Sequence, residues 1–288
     1  MNSFVAWLVD ITADVWCSLS AVLNSNFSIA LVGSLAGAFA GAVAAQRVIE
    51  RNKQLEIFLS ELRNTNAAIM VSFSICNIML SLKKQHSLPL YEQFKHDQAA
   101  QKSFTEKHES GQLKAGEKFE YVADLKTFSV PAMPVDTLKD LVFNKVSAHG
   151  RPLCAVAMLE GAFIGLKEVL STREILVEQF KTAISEEAVP YYYFGLRMPS
   201  GHTNQEYPDL IEAMHSYIND VIFFSSLLCN DLMEHGNRFR SQEKKFAKKA
   251  PKVNTADFST PRASELMPPS SEYSDWLNGF IESNEKRQ

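Results

Sequence analysis

No charged side chain occurs between Val15 and Gln46 of this 288-residue chain. The rest lacks other things. It has only four cysteines (Cys17, Cys76, Cys154 and Cys229), far apart and with no C-x-x-C, which excludes a disulfide framework or a cysteine zinc site and suits a reduced compartment. There is no Walker loop, G-x-G-x-x-G, H-E-x-x-H or nucleophile elbow. The net charge of −4 carries no global nucleic-acid signature. No residue is assigned a catalytic role, and no cofactor or metal is expected. The E-x-x-H pair Glu212 and His215 stands alone, whereas a di-iron helical site needs two such pairs and two further glutamates. Asp231 and His235, four apart, read as a surface pair.

What the charge-free stretch contains is an apolar run, Phe27 to Ala45, of 19 residues. At about 1.5 Å each these span roughly 28 Å, close to the hydrocarbon thickness of a bilayer. Gly33, Gly37, Gly41 and Ala45 share one helical stripe, with Leu31, Leu35, Phe39 and Val43 opposite. A small face beside a bulky one lets another backbone approach, the packing of small-xxx-small membrane helices. The spacing predicts a transmembrane helix over 27–46 that assembles through this stripe. Another copy, the preceding segment or lipid are the surfaces it can meet. Ala42-Val43-Ala44 resembles a cleavage site, but Asp10 and Asp14 precede the run and no Lys or Arg does, which is wrong for a signal peptide. Arg47, Arg51 and Lys53 follow directly, so the positive-inside rule puts everything beyond Gln46 in the cytoplasm. Residues 1–26 form an amphipathic segment, with Trp7 and Trp16 suited to an interface. It either lies on the membrane or crosses it, taking Asp10 and Asp14 to membrane depth.

Beyond the span the pattern is helical. Leu55, Leu59, Leu62, Asn66, Ile69, Phe73, Cys76 and Leu80 alternate spacings of four and three, a coiled-coil or bundle seam. Asn66 interrupts it, either fixing register or binding a neighbouring backbone group. Residues 66–82 are apolar enough for a second span, but Asn66, Ser72, Ser74 and Asn77 favour a soluble core helix. Pro89 punctuates the chain, and a polar helix is predicted over 90–108. Residues 119–124 alternate as in a short strand or extended arm before Pro131 and Pro134. Asp136 is placed as the cap of a helix over 137–148. Long helices are predicted over 152–186 and 207–241. The first carries Val156, Leu159, Phe163, Ile164, Leu170, Ile175, Leu176 and Phe180 on its face, with Ala157, Gly161 and Gly165 spaced for close packing. The Tyr191–Phe194 cluster between them is expected to pack over the bundle end. The fold class is all-α: a transmembrane helix continuing into a cytoplasmic antiparallel bundle over 47–241. From 242, a lysine run and a Ser/Pro/Thr-rich stretch read as a disordered tail. It carries a short amphipathic motif near 272–282 whose Trp276, Leu277 and Phe280 either dock a partner or fold back on the bundle.

The stretch Gly33 to Gln46, followed by Glu61-Leu62-Arg63-Asn64-Thr65-Asn66-Ala67-Ala68-Ile69 and Leu82-Lys83-Lys84-Gln85-His86, resembles a group of uncharacterised bacterial inner-membrane proteins with a small membrane segment and a helical cytoplasmic body. The resemblance covers about the first third of the chain and implies no activity. In layout the chain is also similar to the transmembrane effectors of retron-type antiphage systems. The resulting expectation is a membrane-anchored helical effector at the bacterial inner membrane. Its partners would be the bilayer, further copies of itself and a cytoplasmic protein; nucleic acid is not expected. The alternatives are a membrane-tethered scaffold and an enzyme or small-ligand sensor with a site between helices.

Overall fold

The computed structural model describes residues 16, 26–114, 116–248 and 250–280. Apart from Trp16, the 3–23 segment, Cys17 included, lies outside them, as do residues 281–288. Helix makes up 73% of the chain, and no strand occurs among the described residues, so the all-α class holds. Helix α1 is Asn26–Leu82. A π-turn, Lys83–Ser87, joins it to α2, Leu88–Glu109. The π-turn explains why Pro89 does not end the helix. Pro89 falls in the first turn of α2, where its missing N–H is tolerated, and the wider turn before it relieves the ring's clash with the preceding backbone.

An extended arm follows, without strand pairing, so residues 119–124 are the arm rather than the strand. Short α3, Val135–Asp140, begins two residues earlier than the sequence reading placed it. Its N-cap is Pro134 and no side chain caps it, so Asp136 lies inside the first turn. A π-turn, Leu141–Lys145, follows. Helix α4, Arg151–Thr182, starts after Gly150, whose φ of 71° needs glycine. Then come α5, Val189–Phe194, and α6, Glu206–Gln242. Short α7 (Lys244–Ala247), α8 (Pro261–Ser264) and α9 (Ser274–Asn278) complete the described chain.

The chain divides into two compact units, 1–58 and 59–288. In the larger one, three hydrogen bonds fix the register of α1 on α6: Ser72 Oγ to Ser225 O (2.7 Å), Cys76 Sγ to Ile222 O (3.8 Å) and Cys229 Sγ to Ile69 O (3.6 Å). Numbers rise along one helix as they fall along the other. The buried line of α1 is turned slightly from the predicted seam. Leu62, Ile69, Cys76 and Leu80 are buried as expected, but Thr65 and Ser72 join them at zero exposure and Asn66 moves to the margin. The two hydroxyls bond to main-chain carbonyls, Thr65 to Glu61 O and Ser72 to Ser225 O. Short, satisfied polar side chains allow close approach where leucine would hold the helices apart. Residues 66–82 are therefore a core helix of this unit.

Helix α4 packs along α6 through Val156, Leu159, Leu166, Leu170, Val177 and Phe180. Ile164 and Ile175, predicted to be on that face, are exposed. Of the two glycines on α4, Gly165 makes the close approach: a Cβ there would sit 2.6 Å from the Tyr217 ring, while nothing lies within 4 Å of the corresponding point on Gly161. The aromatic segment of α5 packs inward, as expected. Tyr193 and Phe194 are buried with Phe94 and Tyr207, and the half-buried Tyr121 joins them in one cluster of rings.

Residues 250–280 correct the reading of the chain beyond 242 as an unstructured tail. They form a strap held on α1 and α6. Asn254, Ala256 and Phe258 turn inward and Thr255, Asp257 and Ser259 outward, the period-two alternation of an extended segment lying on a surface. Phe258 meets Phe73 (5.4 Å between centroids), and Leu266 and Pro268 are buried.

Candidate functional site: an exposed apolar helix, a strapped groove and a polar cleft

In the smaller unit, most apolar side chains of α1 between residues 30 and 49 are exposed. Leu31, Val32, Leu35, Phe39, Val48 and Ile49 are 48–74% exposed. No atom lies within 4 Å of a Cβ built on Gly33, Gly37 or Gly41, and Ala45 is open too. An apolar surface this continuous belongs against lipid or another chain. Among the described residues, one helix is long and apolar enough to cross a membrane, and it lies near the N-terminus.

In the larger unit, Asn66 does something other than set a coiled-coil register. Its Nδ2 donates to Lys252 O and its Oδ1 accepts from Asn254 N–H, both at 2.8 Å. One amide thus reads a donor and an acceptor on the strap main chain. Gly236 on α6 leaves room for Val253, whose methyl groups would come within 3.1 Å of any Cβ there. Ala256 N–H points at Met233 Sδ (3.1 Å). Further along, the buried Lys83 ammonium donates to Leu266 O (2.8 Å) and Asn219 Oδ1 (2.7 Å). Burial pushes its pKa down, opposed by the nearby charge of Glu272. Tyr273 donates to Asp220 Oδ1 (2.9 Å) and stacks on Phe223, and Trp276 meets the Phe224 ring edge-on at 5.0 Å. Of the two roles open to the 272–282 motif, its described residues take the second. Trp276, Leu277 and Phe280 are half-buried, with Trp276 and Leu277 packed on the core.

The third constellation crosses α1, the α3–α4 connection and α6. Glu61 Oε1 accepts from Ser147 N–H (2.7 Å), Ser147 Oγ (2.8 Å) and His235 Nε2 (2.9 Å). Burial acts to raise this carboxyl, but the hydrogen bonds from His235 and Ser147 outweigh it and hold the group below its ordinary value. Beside it Arg151 grips Asp231 through Nε (2.9 Å) and Nη2 (2.5 Å). Asp231 and His235 are thus not a surface pair with each other; each binds a partner from another segment. Their cleft, about 600 Å³, also presents His149, Glu234, Arg238 and Phe280. Serine, histidine and carboxylate meet here, yet not as a nucleophile relay. Serine and histidine both donate to one carboxylate oxygen, whereas a relay needs the imidazole between the other two.

Arg173, 1% exposed, donates to Lys126 O, Asp124 O and the Tyr207 hydroxyl, and so ties the extended arm to α4. Glu212 pairs with Lys95 and accepts from Tyr91 Oη, while His215 stacks on the Tyr91 ring (3.9 Å). The E-x-x-H pair is thus spent on separate contacts. Among the described residues no group of three His, Cys, Asp or Glu side chains is arranged to hold a metal. Cys76 and Cys229 are buried, with thiols pushed up to about 12 chiefly by burial. Cys154 is exposed.

Glu61, Lys83 and Arg173 escaped the sequence reading. Each lies beside other polar or charged residues, so the sequence does not set it apart. No protein-family model, curated protein or solved structure matches this chain. What the described residues define is a class: an all-α protein with a helix long and apolar enough to cross a membrane and a core body closed by a strap.

Proposed function

We propose that this protein is a membrane-anchored effector of the bacterial inner membrane, with its larger unit a cytoplasmic antiparallel helical bundle, acting by perturbing or signalling at that membrane. A single observation carries the reading. Helix α1 carries an uncovered apolar, glycine-striped segment at 30–45 and then supplies buried core residues from Leu62 to Leu82. Arg47, Arg51 and Lys53 after the apolar run orient the larger unit to the cytoplasm. Assembly proceeds through the Gly33/Gly37/Gly41/Ala45 face, where close backbone approach replaces the hydrophobic drive that lipid removes. A role in antiphage defence extends the resemblance in layout to retron-type effectors. The scaffold alternative draws on the 272–282 motif and the Tyr191–Phe194 segment, of which Trp276 and Tyr193 pack on the chain's own core.

The test is expression in bacteria with fractionation and a membrane-potential dye. Wild-type protein is expected in the inner-membrane fraction, with depolarisation on induction, and Gly37→Leu is expected to keep its location but lose most of that effect. A fully soluble wild-type protein, or equal depolarisation by both forms, overturns the proposal.

A further inference from the structure

The polar cleft between the start of α4 and α6 has more hydrogen-bonding capacity than the fold uses. Asp231 is spent, because both its oxygens accept from Arg151, while Arg151 keeps its Nη1 uncommitted. Arg238 lines the same cleft and is exposed, and its guanidinium has no hydrogen-bond or ion-pair partner among the described residues. The first turn of α4 reaches the cleft at Gly150, Arg151 and Pro152, with no side-chain cap and no acidic residue. The amides and dipole of such a helix end favour an anion. His235 lines the cleft although it is only 9% exposed. Its Nε2 is held by Glu61, while Nδ1 has no partner among the described residues. With the proton of the neutral ring kept on Nε2 by Glu61, Nδ1 presents a lone pair, and in the imidazolium it presents an N–H. Glu234 also lines the cleft, but it is exposed and its charge acts on Arg151. Phe280 and Pro152 add apolar wall.

We propose that this cleft binds a small organic phosphate. Arg238, Arg151 Nη1 and the α4 N-terminus hold its oxyanion, His235 Nδ1 makes one hydrogen bond to it, and Phe280 carries its organic body. The cleft measures about 600 Å³, within the roughly 300–1,000 Å³ of small-molecule sites, where an apolar wall and a few placed polar groups are the usual design. A guanidinium fork matches phosphate oxygens, and a helix N-terminus adds main-chain donors to the same charge. Together these offer more donors than a flat carboxylate takes up, and they suit the three terminal oxygens of a phosphate ester. The Arg151–Asp231 pair has a structural role in tying α4 to α6. Arg238 has no such contact, and a ligand gives it one. The lining residues all belong to the larger unit, so the site stands whether or not the membrane reading does.

The experiment titrates the full chain in detergent, by calorimetry at fixed ionic strength, with AMP, inorganic phosphate, adenosine and benzoate. AMP is expected to saturate a single site per chain. Inorganic phosphate should bind more weakly and compete with it, and adenosine should not bind. Arg238→Ala removes an exposed side chain with no structural contact, so the fold should survive. It should weaken AMP by about tenfold or more, the loss of one charge-assisted hydrogen bond or more. Arg63→Ala, at an exposed arginine of α1 outside the cleft, should bind AMP as wild type does. Phe280→Ala should weaken AMP and leave inorganic phosphate unchanged, which separates the body of the ligand from its oxyanion. The His235 imidazole nitrogen resonances should shift on saturation with AMP in wild type and in Arg63→Ala. Absence of saturable binding by AMP and phosphate overturns the proposal. So does adenosine binding as tightly as AMP, or an Arg238→Ala protein that binds AMP like wild type. Binding of benzoate without AMP overturns the phosphate assignment and makes the cleft a carboxylate site.

Discussion

Tyr273 lies flat on Phe223, with ring centroids 3.7 Å apart and planes within 4° of parallel. Its hydroxyl donates to Asp220 one turn away. This contact joins the strap to the middle of α6, and Asn66 secures the strap at its other end. Asn66→Ala removes two hydrogen bonds and leaves a main-chain donor and acceptor without partners. It should cost about 1–3 kcal/mol. Amides near residues 252–258 should exchange with solvent at least tenfold faster by hydrogen–deuterium exchange, with helix α4 unaffected. Uniform acceleration across the body would show that Asn66 supports the whole core instead.

Gly165 and Gly161 look alike in sequence and differ in space. A methyl at Gly165 would overlap the Tyr217 ring, while at Gly161 it meets open space. Gly165→Ala should destabilise by about 1–3 kcal/mol. Gly161→Ala should stabilise by roughly 0.5–1 kcal/mol, the helix-propensity gain of alanine over glycine. Thermal melts of the two variants should therefore move in opposite directions.

Arg173 is the only link described between the α4 interior and the carbonyls of Asp124 and Lys126. Arg173→Met keeps most of the volume but leaves both carbonyls and the Tyr207 hydroxyl without that donor. The expected loss is on the order of 3 kcal/mol, with new protease cleavage inside 117–134. A variant as protease-resistant as wild type would mean that the arm is held by its aromatic contacts alone.

Glu61 makes stability depend on acid. Its carboxyl titrates below its ordinary value in the folded state, so the folded form binds the proton less readily than the unfolded one. The stabilisation is present above the unfolded value and lost as pH falls through the folded one. Urea denaturation of wild type should weaken progressively below about pH 4.5, the ordinary glutamate range. Glu61→Gln should be less stable at pH 7, and its curve should be flatter below pH 4.5. An unchanged acid slope in the variant would assign the acid sensitivity to other carboxylates.

The sequence alone determined what depends on period and composition. The apolar run over 27–45, the glycine stripe, the long helices now seen as Arg151–Thr182 and Glu206–Gln242, and the all-α class follow from spacings of three and four, because a helix's buried face must repeat with its turn. Only tertiary structure decided the partners. Thr65 and Ser72 rather than Asn66 became core residues because their hydroxyls found carbonyls within reach. Asp231 and His235 turned to Arg151 and Glu61, and the strap was ordered because Asn66, Lys83, Phe223 and Phe224, far away in sequence, meet on one surface. These contacts are set mostly by distances between segments far apart in the chain, and no local pattern encodes those distances.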